Sequence, residues 1–109
     1  MAEPGEARIA LQPIIVTIKH LPGNAPTCDR DPVALSKKNH NEIAWVCVPP
    51  QNFTVIMQSP SPFQGSVFTQ DNNQSGEPIL TPDPNTQLQF KYTVIVGQDH
   101  ADPGVIINP

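Results

Sequence analysis

Apolar residues along this chain recur at every second position in short runs, the period of a β-strand with one face buried and the other in water. In "EIAWVCV" the apolar face carries Ile43, Trp45 and Cys47, and in "NFTVIM" it carries Phe53, Val55 and Met57. The longest run, "LQFKYTVIV", sets Leu88, Phe90, Tyr92, Val94 and Val96 on one side, and "VIIN" follows as a last short strand. A further short strand is read from Val33 to Ser36. Near the start, "RIALQPIIVTIK" changes phase at Pro13: Ile9 and Leu11 share one parity, Ile14, Val16 and Ile18 the other. Proline takes one N–H out of a ladder, so a bulge or a change of sheet partner is expected there. "PPQ" is short enough to join "EIAWVCV" to "NFTVIM" as the central hairpin of the chain.

Punctuation between the runs sets the rest. "HLPGNAPTCDRDP" is a loop and "KKNHNE" a polar turn. From 58 to 86 the chain is rich in Pro, Ser, Gln and Asn, and only "SVF" and "PIL" have strand character. Composition alone would leave such a segment disordered. Phe63, Phe68, Ile79 and Leu80, however, are spaced as anchors, so it reads as a long loop pinned onto the body. Phe63 and Phe68 either plug the core or contact a partner. Plugging is favoured, because a large aromatic in a pinned loop covers apolar surface. Residues 1–7 read as a flexible N-terminal tail and residues 8–109 as a single domain, with no amphipathic helix and no internal repeat. The expected fold class is all-β: an antiparallel or mixed sandwich of about seven short strands, with a long loop after the central hairpin.

Composition agrees with that class. Hydrophobic residues make up 38% and charged residues 15%, with fourteen prolines and six glycines. Ten acids against six bases give a net charge of −4, and the only adjacent basic pair is Lys37–Lys38. Tracking a phosphate backbone needs clustered Lys and Arg, so no nucleic acid is expected as partner. No apolar run approaches the ~20 residues of a membrane span, and "MAEPGEARIA" lacks the layout of a secretory signal. The chain as written therefore reads as soluble and cytoplasmic; a trimmed start would place it in the periplasm or outside the cell.

The order of features, from a proline-bulged first strand and a Trp-bearing strand through "NFTVIM" and a variable loop to "FKYTVIV" and "GVIIN", resembles the cupredoxin fold. More narrowly, "IAWVC…FTVIM…SPF…FKYTVIV…DPGVIINP" is similar to small uncharacterised bacterial proteins with cupredoxin-like Greek-key sandwiches. The resemblance implies a fold and carries no function. In cupredoxins a blue-copper centre takes two imidazoles and a thiolate, with a weak axial group such as Met. On the hydrophobic pattern Phe53 falls where the first His would stand and Val94 about where the Cys would stand. Neither side chain has a lone pair to give, so no inherited copper site and no cofactor are expected.

Ligands recruited elsewhere would come from His20, His40, His100, Cys28, Cys47 and Met57, none in a metal-binding spacing. His100, between Asp99 and Asp102, is the least dismissible polar candidate, since nearby carboxylates would orient its ring. Cys47 reads as a small buried hydrophobe, and a Cys28–Cys47 bridge stays open because its geometry is not legible in sequence. No nucleophile elbow, P-loop or dinucleotide turn is present, and the acid pairs Asp29/Asp31 and Asp99/Asp102 read as solvated turns. The leading expectation is a non-enzymatic binding or structural module, with a protein partner or self-association through the loop 58–86. The alternative is a copper-binding or electron-transfer protein with an unconventional site near His100.

Overall fold

A computed structural model describes residues 13–109; the expected 1–7 tail and the run through Ile9 and Leu11 lie outside the described residues. Nine strands form: β1 (Ile14–Lys19), β2 (Thr27–Cys28), β3 (Val33–Ser36), β4 (Ile43–Val48), β5 (Thr54–Met57), β6 (Val67–Thr69), β7 (Leu88–Val96), β8 (Asp99–Ala101) and β9 (Gly104–Asn108). No helix occurs among the described residues, hence none long and apolar enough to cross a membrane.

The strands make two sheets, one ordered β2-β1-β4 and one ordered β3-β9-β7-β5-β6, with β8 also on β7. Two pairings are parallel, β1 with β4 and β3 with β9; the others between strands are antiparallel. Parallel neighbours need crossover connections, which here pass between the sheets and hold them as two layers over one core. Val16, Ile18, Ile43 and Trp45 come from the small sheet, and Val33, Leu35, Val55, Tyr92, Val94, Val105 and Ile107 from the large one, all buried. Trp45 stands at the centre, stacked on Phe68 with ring centroids 5.2 Å apart and edge-on to Tyr92 at 5.6 Å.

The alternating faces read from the sequence are the buried faces of β1, β4, β5 and β7. The central hairpin is not formed. β4 pairs with β1, and β5 pairs with β6 and β7, so the two arms of the expected hairpin lie in opposite sheets. Period-two patterning says which side of a strand faces inward, and that side is the same whether two strands pair edge to edge or face each other across a core. The prolines at 49 and 50 also lack the N–H groups that a tight hairpin would use.

Three further expectations are corrected. The described residues hold nine strands rather than about seven. Asp99 does not lie in a solvated turn: Gly97, at φ 62°, and Gln98 turn β7 directly into β8, with Val96 opposite Asp99. Glycine takes that left-handed backbone without a Cβ penalty. Finally, Ile79 (58% exposed) and Leu80 are not anchors and "PIL" is not a strand.

The long loop is pinned instead by Phe63, Phe68 and buried Ser75. The Ser75 hydroxyl accepts from Ile43 N–H at 2.9 Å and donates to the Gly76 carbonyl at 2.8 Å. Ser75 N–H bonds the Ile43 carbonyl, and Asn73 bonds Trp45 through both main chain and side chain, so this loop closes the exposed edge of β4.

Candidate functional site

β1 keeps its inward parity one residue past its end, which drives His20 inside beside Ile18. The residue is 6% exposed, and its ring meets an oxygen on each side. Nε2 lies 2.7 Å from Asp99 Oδ2 and Nδ1 lies 2.9 Å from Gln51 Oε1. The Gln51 amide is oriented by its own bonds: Nε2 donates to the main-chain carbonyls of His20 and Pro49, both at 3.2 Å. Its oxygen must then face the ring. Asp99 Oδ2 also accepts from Gly23 N–H at 3.1 Å. The Asp99 hydrogen bond, then the Gln51 bond, raises the His20 pKa above its ordinary 6.5. The same bond from His20, with help from Gly23 N–H, holds Asp99 below its ordinary 3.8.

With both ring nitrogens engaged, His20 in this arrangement has no lone pair for a metal and no free position for proton abstraction. The cluster fastens β1, the β4–β5 connection and β8 to one another. No local pattern marks the whole cluster, because its members are 31 and 79 positions apart. One signal was legible: a polar residue continuing the apolar parity of Val16 and Ile18.

His100, the polar candidate singled out from the sequence, does not join this cluster. It pairs with Ile95 on the face of β8 opposite to Asp99 and is exposed, with no side-chain hydrogen bond among the described residues. The Asp102 carboxylate accepts instead from Thr93 Oγ1 at 2.7 Å. His40 is exposed and pairs with Glu77 at 2.9 Å. Among the described residues no three His, Cys, Asp or Glu side chains converge as a metal site. Phe53 and Val94, at the positions matched to copper ligands, are both buried core residues.

Both cysteines are free thiols. Ile18 is the register partner of Cys28 on one side and of Cys47 on the other. Two strand spacings therefore separate their Cα atoms, about 10 Å, beyond the ~7 Å that a disulfide spans. Burial pushes the Cys28 thiol up to about 11, and the Tyr92 hydroxyl lies 3.7 Å from its sulfur. Burial likewise raises Cys47 and, strongly, the Tyr92 hydroxyl. Neither thiol is poised as a nucleophile. Phe63 and Phe68 lie in the core, edge to face at 6.3 Å.

A groove of about 680 Å³ opens among the described residues beside the start of β7, with Asp31, Gln58, Pro60, Gln89, Phe90 and Lys91 among its lining residues. It exists because β7 outruns β5. Met57 pairs with Tyr92 and Gln58 N–H still reaches the Lys91 carbonyl, but the next partner in step, opposite Gln89, is Pro60. Tyr92 N–H points the other way, to the Pro103 carbonyl, so the odd-numbered residues of β7 turn their main-chain groups toward β5. Pro60 has no N–H to offer. Among the described residues the N–H and C=O of Gln89 have no backbone partner.

Comparison with family models, with curated proteins and with solved structures finds no match for this chain.

Proposed function

We propose that the protein is a non-enzymatic recognition module on a cupredoxin-like sandwich without the copper site, and that it takes an extended polypeptide segment into the groove beside Gln89. The observation that carries this reading is the main-chain rung of Gln89, which has no backbone partner among the described residues and lies in a groove of about 680 Å³. An unpaired strand edge offers a donor and an acceptor to any extended chain, whatever its sequence. Selectivity then comes from the flanking groups: the Phe90 ring and Pro60 as apolar walls, and Gln58, Asp31 and Lys91 as polar ones. The groove's volume lies in the range of ligand-binding clefts. The cupredoxin-like topology is supported by the order of sequence features and by the crossovers that the parallel pairs β1·β4 and β3·β9 require.

A phage-displayed library of random linear peptides tests the reading. The wild-type protein enriches peptides that shift the amide signals of Gln58, Gln89 and Phe90 on titration. Gln89→Pro removes the open donor without touching the ladder to β9, and it weakens the selected peptides about two- to tenfold, one net hydrogen bond of about 0.5–1.5 kcal/mol. Gln58→Ala, at an exposed position, weakens them as well and guards against a misfolded proline variant. Peptides that shift signals elsewhere, or that bind Gln58→Ala and a folded Gln89→Pro as well as wild type, overturn it. A dimeric mass in solution with no peptide enriched replaces it with self-association.

A further inference from the structure

We propose that His20 is held as a doubly protonated imidazolium between Asp99 and Gln51, and that loss of its proton opens a latch joining the β4–β5 connection and the loop after β1 to the β7–β8 hairpin. Acceptors on both sides of the ring carry the inference. A neutral imidazole has one N–H. If it keeps the bond to Asp99, its bare Nδ1 faces Gln51 Oε1 at 2.9 Å, lone pair against lone pair. If Gln51 turns over to donate to Nδ1, its oxygen meets the carbonyls of His20 and Pro49, which its Nε2 now satisfies. If Nδ1 keeps the proton, the bare Nε2 faces the Asp99 carboxylate at 2.7 Å. Each neutral arrangement leaves a repulsive contact in a buried place, where an unmade hydrogen bond is costly. The protonated ring satisfies every partner.

The charges around the ring agree. Asp99 on β8 is the carboxylate in contact; Lys19 precedes His20 on the opposite, exposed face of β1, and His100 lies on the opposite face of β8. Cys47 on β4 is kept a neutral thiol by burial, and Gly23 presents an N–H to Asp99 from the loop. Because the folded-state pKa of His20 is raised, the stability this proton confers is complete below about 6.5 and is lost as pH rises through the folded value. Asp99, lowered, gives the mirror image: its contribution is complete above about 3.8 and is lost as pH falls through its folded value.

Nitrogen-15 NMR of the wild-type full chain across pH decides the matter without any variant. Both His20 ring nitrogens carry protons at pH values where an unfolded histidine has lost one, and the urea midpoint declines over the pH range in which His20 then titrates. Asp99→Asn removes the carboxylate, brings the His20 titration down and flattens that alkaline decline. A His20 ring that titrates at or below 6.5, or a midpoint that stays level while His20 loses its proton, overturns the proposal. Should Asp99→Asn fail to fold, the wild-type titration and midpoint stand alone as the test.

Discussion

Truncating Phe63 to alanine separates two jobs for the loop 58–86. Phe63 is 1% exposed, its ring edge-on to Phe68, which in turn stacks on Trp45. Its backbone cannot readily follow a shrinking side chain. Phe63 N–H is bound to Ser61 Oγ at 3.1 Å, and that hydroxyl donates to the Gly65 carbonyl at 2.8 Å. The cavity left behind therefore collapses little. A buried Phe→Ala change of this kind costs about 3–5 kcal/mol, of which the aromatic pair accounts for about 0.5–1.5 kcal/mol. Domains have about 5–15 kcal/mol in total, so the variant is left marginal. Urea unfolding followed by the fluorescence of the single tryptophan, Trp45, reads the effect: with a slope of about 1–3 kcal/mol/M, the midpoint falls by at least about 1 M. Leu80→Ala, in the same loop but exposed, serves as the control, with a change within about 1 kcal/mol. A Phe63→Ala midpoint no lower than that of Leu80→Ala refutes the core-plugging reading and returns Phe63 to a partner surface.

Two further outcomes follow from buried groups. Ser75→Ala removes the acceptor of Ile43 N–H at the buried edge of β4 and costs about 1–3 kcal/mol, measured as a lowered urea midpoint; Ser75→Thr, which restores the hydroxyl, recovers part of it. Cys28 and Cys47 stay unmodified by a thiol reagent at neutral pH while the protein is folded, since burial keeps both protonated, and both react once it is unfolded. Intact mass without reductant gives two thiols per chain and no bridge.

Which side of each strand faces the core was written in the sequence, because side chains alternate with a period of two and burial sorts them. Ile43, Trp45 and Cys47, the inward residues of β5, and Tyr92 with Val94 and Val96 all lie where that alternation puts them. The strand at 33–36 was legible for the same reason, and the burial of Phe63 and Phe68 for another: a large aromatic in a pinned loop covers apolar surface.

What each strand pairs with was not legible. Alternation is identical for a strand beside its neighbour and for one facing it across the core, so β4 and β5 read as a hairpin although they belong to different sheets. The same limit hid the groove, whose open rung depends on how far β7 outruns β5 and on a proline meeting Gln89 in register. It also hid the latch. A histidine on an apolar parity is a local fact, but its state is decided by an amide 31 positions away and a carboxylate 79 positions away. Local pattern sets the faces of this protein; the long-range contacts that close its two layers set its pairings, its groove and the charge on His20.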